Sequence, residues 1–333
     1  MPHATVPGHA SWCGLRVSAP VALVTGAAGF VGSWLLRHVQ ELGWTIIGVR
    51  KPNTPSPALD VDVEWVDVDL RDREATHALL RARPPRYILH LAAVAFSGEA
   101  RRDPLEALRL NYGALDHLLG GMLRQGLAAR LLYVGTGEVY GLRREDGPLL
   151  REEDPIAPPN LYSATKAAAE ARASLAVERD GLDVVRVRPF NHSGPGRPPQ
   201  YAESSFARQI VRIERGTQEP VLRVGNLDVV RDFSDVRDVV RAYPLVLEHG
   251  ERGGVYNVCS GRGWKIRDIL NHLISRSDAE PKIEVDPDLF RSSTQDKSSL
   301  VGDPARVRAL GWTPRHSFEE TLDDLLADWR TRA

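Results

Sequence analysis

Tyr162 and Lys166, in the stretch Asn160-Leu-Tyr-Ser-Ala-Thr-Lys166, put a phenol and an ammonium one turn apart on the same face of a helix that starts there. A cation that close lowers the phenol's pKa. The tyrosine can then exchange a proton with a substrate oxygen while hydride moves at the carbon that bears it. A second segment, Gly135-Thr-Gly-Glu-Val-Tyr-Gly141, follows the apolar run Leu131–Val134 and reads as a strand ending in a glycine-flanked turn. Its hydroxyl, Thr136, suits carbonyl reduction. Its carboxylate, Glu138, could instead pull a proton from carbon, so these residues leave both reactions open.

Hydride chemistry needs a dinucleotide, and Gly26-Ala-Ala-Gly29-Phe30-Val31-Gly32 supplies the place for one. This GxxGxxG directly follows a short apolar strand and opens an amphipathic helix. Its glycines permit a tight turn and close backbone approach, and the helix start offers free N–H groups to a pyrophosphate. Where an acidic residue often meets the ribose of NAD at the end of the second strand, this chain has Arg50-Lys51. Two cations there suit a 2′-phosphate, so NADP(H) is the favoured cofactor and NAD(H) remains possible.

The elements that must position these groups alternate. Strands at 21–25, 44–49, 87–91, 131–134 and 184–188 are interleaved with helical patterns near 34–39, 72–81, 105–125 and 164–179. That rhythm predicts an α/β fold: a Rossmann-type doubly wound parallel sheet, with a smaller C-terminal α/β substrate lobe after Pro189, where prolines and glycines break the pattern. We expect a loose extension over 1–19, the dinucleotide-binding domain over 20–190 plus about 229–259, and the substrate lobe over 191–228 plus about 260–333.

Composition narrows the partners. At 333 residues, 42% hydrophobic and net charge −1, the chain is globular and lacks the basic footprint of a nucleic-acid or anionic-membrane binder. No apolar run reaches membrane-spanning length. The two cysteines, Cys13 and Cys259, sit in no metal-binding cluster, so no metal site is expected and a reducing cytoplasm fits.

Taken in chain order, GxxGxxG, Asp69-Leu70, Leu91-Ala92-Ala93, Asn111, Thr136, Tyr162 and Lys166 resemble the extended short-chain dehydrogenase/reductases, the NAD(P)-dependent sugar-nucleotide epimerase/dehydratase family, from Val21 to Arg330. The resemblance implies that Asp69 and Leu70 contact the adenine, that Leu91, Ala92, Ala93 and Pro189 line the cofactor groove, and that Thr136 bonds the reacting sugar oxygen beside Tyr162. Segments of the second lobe, among them Arg188–Gly196, Ser205–Ile210, Val224–Leu227, Arg231–Tyr243 and Val255–Gly261, resemble the branch that reduces GDP-4-keto-6-deoxy-D-mannose to GDP-D-rhamnose. By that resemblance Asn191, Arg208, Arg231 and Arg291 hold the nucleotide diphosphate, with Glu138, Val224 and Asn226 in the same substrate pocket. His192 is expected to pack rather than catalyse, and Asn111 to organise backbone near the site. The helices around Asn111 and Tyr162 would pair in a homodimer.

Two alternatives stay beside this reading. One is a GDP-mannose-type 4,6-dehydratase with Glu138 as the C5 base, although Gly137 stands where such enzymes carry an acid or small polar side chain. The other is a non-catalytic nucleotide-sugar or NADP binder, since a fold does not dictate a function.

Overall fold

A computed structural model describes residues 19–144, 147–289 and 298–332. Its first half is built by alternation. Strand β1 (Val21–Thr25) leads into α1 (Phe30–Glu41), whose Leu35, Leu36 and Val39 are buried at helical spacing. Strands β2 (Thr45–Arg50) and β3 (Glu64–Asp67) follow, then α2 (Arg73–Ala82), capped by the Asp72 carboxylate. The chain continues through β4 (Tyr87–His90), α3 (Ser97–Arg102), α4 (Pro104–Leu108), a π-helical turn at Arg109–Gly113, α5 (Ala114–Gln125) and β5 (Arg130–Val134). After a short 3₁₀ turn (Gly137–Tyr140) and β6 (Arg143–Arg144) come α6 (Leu161–Glu178) and β7 (Asp183–Pro189).

The remaining elements are β8 (Asn191–Ser193), α7 (Ala202–Glu214), β9 (Val221–Val224), β10 (Val230–Asp235), α8 (Val236–His249) and β11 (Val255–Val258). They are followed by β12 (Gly263–Lys265), α9 (Ile266–Ser275), β13 (Lys282–Val285), β14 (Ser298–Leu300), α10 (Ala305–Ala309) and α11 (Phe318–Arg332).

Seven strands form one parallel sheet in the order β11-β7-β5-β4-β1-β2-β3. Helices α1 and α8 bury one face and α2, α5 and α6 the other, which is why β1, β4 and β5 are apolar on both sides. This is the doubly wound Rossmann-type sheet. Its strand order reverses between β1 and β4, where ligands of such folds bind at the strands' carboxyl ends. A second sheet, β12-β10-β14-β6 with β8 beside β10, and the parallel pair β13-β9 pack with α7, α9 and α11 around their own apolar core.

The boundary between the layers is more interleaved than periodicity suggests. Strand β10 joins the second sheet, so the return to the first layer starts at Val236 rather than at 229. Val307 and Trp312, expected in the second lobe, lie in the first core, where the Trp312 indole donates to the Asp238 carbonyl at 2.8 Å. A large indole with one polar atom is best buried where that atom finds an acceptor, and α8 provides it.

One buried polar network crosses these layers. Arg188 on β7 bonds Glu170 of α6 with Nη2 at 2.6 Å and Nε at 3.1 and 3.2 Å. Its Nη1 donates to the Tyr140 hydroxyl at 2.7 Å and to the Glu152 carbonyl at 3.1 Å. Tyr140 in turn donates to Asn257 Oδ1 on β11 at 2.7 Å. Arg188→Met leaves the Glu170 carboxylate buried without its cation and should cost about 3–5 kcal/mol of stability. Urea unfolding checks this; a loss below about 1 kcal/mol would mean the pair is dispensable.

Candidate active site

A cleft of about 590 Å³ opens at the carboxyl ends of β1, β4 and β5 and runs from the phosphate loop to the second sheet. At its phosphate end Gly26 has φ +68°, and a Cβ there would lie 2.9 Å from the Ala92 nitrogen. A Cβ at Gly32 would fall 2.3 Å from the Gly26 oxygen, so the loop can sit this close to the β4 end only with glycine. Thr25 Oγ1 accepts the Ala92 N–H at 3.1 Å and lies 2.8 Å from His90 Nδ1, pinning the two strand ends that part at the switch point. Gly29 caps α1 without a side chain, so the helix's first N–H groups stay available to an anion. Gly26, Gly29, Phe30, Val31, Gly32, Leu91, Ala92, Ala93 and Pro189 all line the cleft, a cradle that fits a dinucleotide diphosphate.

At the other end of the dinucleotide groove, Arg50 and Lys51 line the cleft together with Asp69 and Leu70. Arg50 is held in place by Asp67 at 2.5 Å, by the Ser56 hydroxyl and by the Trp65 ring, 5.5 Å away. Asp69 is gripped by Arg71, whose hydrogen bonds pull the carboxyl down to about 2, and Arg71 also reaches Glu106 on α4. Its acceptor atoms are thus shared with a neighbour that sequence reasoning did not weigh.

The reaction centre forms where α6 meets the turn after β5. Asn160 caps α6 through a reciprocal capping box with Ser163, which sets the helix start and so the positions of Tyr162 and Lys166. The same Asn160 donates to Glu138 Oε2 at 3.0 Å, tying the turn's carboxylate to the helix that carries the phenol. Thr136, Glu138, Tyr162 and Lys166 all line the cleft. Asn111, in the π turn, receives the Val94 N–H at 2.7 Å and donates to Thr165 Oγ1 at 2.9 Å, so it organises backbone beside the site.

The electrostatics differ from the simple expectation that Lys166 lowers the Tyr162 pKa. Burial, with the Glu138 charge added, holds the phenol well above the usual tyrosine range, while the neighbouring Thr136 hydroxyl and the charge of Arg197 pull it the other way. Lys166 is 2% exposed, and burial brings it down to about 7, against the opposing charge of Glu170. Its Nζ lies 4.5 Å from the centre of the Tyr133 ring, whose hydroxyl bonds the Lys166 carbonyl at 3.0 Å. Burial is the largest influence on both groups.

Gly137 is buried, and a Cβ there would meet two carbons of the Phe190 ring at 2.8 Å. The position between Thr136 and Glu138 cannot take a side chain unless Phe190 moves. His192 lies 2.9 Å from the Phe190 carbonyl through Nδ1, stacks on Phe30 at 6.3 Å and is pushed down to about 4 by burial. It is a neutral, packed histidine.

Of the substrate-side residues, Glu138 and Asn191 line this cleft. Arg231 is turned to the Ser298 carbonyl at 2.9 Å on β14, Arg208 is exposed on α7, and Asn226 accepts the Asp228 N–H at 2.9 Å in a turn. Val224 is wholly buried in the second core, which leaves only its main chain for any ligand. Arg291 lies outside the described residues. The cleft also holds Phe96 and, from the loop after β8, Arg197, Gln200 and Tyr201, three residues that sequence reasoning missed because that loop gives no periodic or motif signal.

Residues 22–259 match the NAD dependent epimerase/dehydratase family. The chain belongs to it. Over 310 residues it is 36% identical to a GDP-6-deoxy-D-mannose reductase of Pseudomonas aeruginosa, covering 93% of this chain and 97% of that one. The solved structure of RMD from Pseudomonas aeruginosa complexed with NADPH superposes with a TM-score of 0.80 at 33% identity, over 95% of this chain and 100% of that one. A Thermus thermophilus UDP-glucose 4-epimerase in complex with NAD superposes with a TM-score of 0.83 at 27% identity, over 94% of this chain and 100% of that one.

A family member with this site should lose roughly 10²–10⁴-fold in turnover on Tyr162→Phe while dinucleotide affinity stays nearly unchanged, because the hydroxyl acts in the transition state. Steady-state kinetics with a parallel dinucleotide titration tests this; an equal loss of both contradicts the role. Lys166 gives a pH signature. Its folded pKa of about 7 lies below its ordinary value of 10.5, so between them the unfolded chain binds more protons and stability rises with pH. Lys166→Met should therefore be more stable than the parent at pH about 6, with the gap closing toward pH about 10 in urea titrations. A gap independent of pH would show that Lys166 is not desolvated.

Proposed function

We propose that this protein is an NADPH-dependent reductase of a nucleotide-activated 4-keto-6-deoxy sugar, GDP-4-keto-6-deoxy-D-mannose, with GDP-D-rhamnose as product. The observation that carries the reading is Gly137 beneath Phe190. Dehydration needs a proton donor for the departing hydroxyl in addition to a base at carbon, and the position beside Glu138 carries no functional group and has no room for one. Reduction needs only a hydroxyl to hold the ketone oxygen and an acid to protonate it, and Thr136 and Tyr162 supply both.

Gly26, Gly29 and Gly32 with the start of α1 would hold the dinucleotide diphosphate, and the bound dinucleotide would supply the hydride that the C4 carbonyl carbon accepts. Thr136 orients the C4 oxygen. Tyr162, kept protonated by its raised pKa, gives its proton to that oxygen as negative charge develops there. Lys166 supports the phenol and, with a pKa near 7, can itself take up or release a proton at working pH. Asn160 keeps Glu138 aligned beside the sugar site, where the carboxylate serves as a hydrogen-bond acceptor. Asn191 lines the substrate end of the cleft, and Arg208, Arg231, Asn226 and the Val224 main chain are assigned to the nucleotide by family resemblance. Arg50 and Lys51 favour the 2′-phosphate of NADPH.

Exposed leucines on two neighbouring helices, Leu105 and Leu108 on α4 and Leu161 and Leu175 on α6, support a homodimer through this face. No helix among the described residues is long and apolar enough to cross a membrane. The free, buried Cys259 suits the reducing cytoplasm we assign.

Mixing the protein with NADPH and GDP-4-keto-6-deoxy-D-mannose should consume reduced nicotinamide, and Glu138→Gln should slow this by less than the roughly hundredfold that loss of a general base costs. Water loss from GDP-mannose without net nicotinamide use, abolished by Glu138→Gln, would establish the dehydratase instead. No turnover of either substrate would leave a binding protein.

A further inference from the structure

Arg197 sits in the Pro- and Gly-rich loop after β8 and is assigned no role by the site described so far. It is 8% exposed and lines the cleft. Burying a guanidinium is costly unless each face and edge finds a partner. Its flat face is stacked on the Tyr201 ring, with the guanidinium carbon 3.4 Å from the ring centre, and a second ring, Phe30, lies 5.2 Å away. Its Nε donates to Glu203 Oε1 at 3.1 Å, and Glu203 is itself buried. That accounts for one of the group's five N–H donors. Among the described residues neither Nη nitrogen meets an acceptor, and these donors belong to a residue on the cleft wall.

The loop is built to keep the group where it is. The Arg197 N–H bonds the Gly194 carbonyl at 3.1 Å, and the Arg197 carbonyl accepts the Ser204 hydroxyl at 2.8 Å, which fastens both ends of the residue. A stacked, ion-paired guanidinium retains in-plane donors in a fixed orientation, the form that recognises phosphate oxygens best. Its place in the cleft says which phosphates are in reach. Phe30 is the first residue of α1 at the phosphate loop, Tyr201 lines the same cleft as Tyr162, and the Arg197 charge reaches the Tyr162 phenol. Arg197 therefore stands between the dinucleotide diphosphate cradle and the reaction centre.

We infer that Arg197 is a ligand-binding residue, whose Nη donors take a diphosphate oxygen of the dinucleotide or of the sugar nucleotide. The choice of these two ligands rests on the proposed function; the availability of fixed Nη donors on the cleft wall rests on the geometry alone. The same charge that binds the diphosphate also favours the ionised form of Tyr162 and disfavours protonation of His192, so it acts on both sides of the cleft.

The test titrates GDP and NADPH separately into the parent protein, Arg197→Gln and Arg197→Lys, with thermal unfolding alongside. Arg197→Gln should weaken one of the two ligands by about tenfold or more, the size of a lost charge-assisted hydrogen bond, and leave the other within about twofold. Arg197→Lys, which keeps the charge opposite Glu203 but loses the planar fork, should weaken the same ligand less. Loss of GDP affinity identifies the sugar nucleotide as the source of the phosphate, and loss of NADPH affinity identifies the cofactor. Both ligands bound within about twofold by folded Arg197→Gln overturns the inference, as does equal weakening of both with a lowered melting temperature, which marks a structural role. If Arg197→Gln does not fold, Arg197→Lys decides by the same criterion. A parent protein that binds NADPH but not GDP would refute the nucleotide assignment in the proposed function, and the NADPH arm would then decide on Arg197.

Discussion

Arg188 and Glu170 form a buried ion pair at the point where four segments of the chain must agree, and the reaction centre depends on it. Glu170 lies one turn beyond Lys166 on α6, while Arg188 lies on the strand that leads through Pro189 to Asn191. The second guanidinium edge reaches Tyr140, at the far end of the short turn that begins beside Thr136. A single planar cation thus sets the distance between the hydroxyl turn and the phenol helix. Such a pair gains little net stability over apolar packing, because both charges are stripped of water. Its value is geometric: a fork with fixed N–H directions tolerates little displacement of its acceptors.

The same burial governs the chemistry. Around the centre, desolvation drives groups toward their neutral forms: Lys166 to about 7, His192 to about 4 and His90 to about 3, with Tyr162 raised. A phenol that stays protonated suits a donor to a newly formed alkoxide. Neutral histidines nearby add no competing acid. Glu138 is held at the cleft by the Asn160 amide.

What separates reduction from dehydration here is a matter of volume as well as composition. Phe190 fills the space that a side chain at residue 137 would need, and it does so because it belongs to a small core with Tyr140, Val139 and Leu300 beneath the second sheet. This small core therefore fixes the space at residue 137 from behind the turn. Arg197 and Tyr201 line the cleft from the opposite side, on a loop whose course follows from its packing against α7 and Phe30.

The alternation of five strands with helices, the glycine loop and the Tyr162-Lys166 pair were legible in the sequence, because each depends on local period or on spacing within one turn; β3 and β11, which complete the seven-stranded sheet, were not. So was the structural role of Asn111, a polar residue inside an apolar helical run that has to find a partner. Strand β10 and Trp312 were assigned to the wrong layer, since a parallel sheet's membership depends on which distant strand lies beside it, and nothing local encodes that. The sign of the Tyr162 shift was also out of reach: spacing puts a cation one turn from the phenol, but only packing decides how far the phenol is stripped of water. Sequence by itself determined the chemistry available, a phenol, a hydroxyl, a carboxylate and a dinucleotide loop on one Rossmann-type sheet. Tertiary structure alone decided which of those groups can act, because burial, the Phe190 ring and the stacked guanidinium of Arg197 come from residues far apart in the chain that meet only when the two layers close.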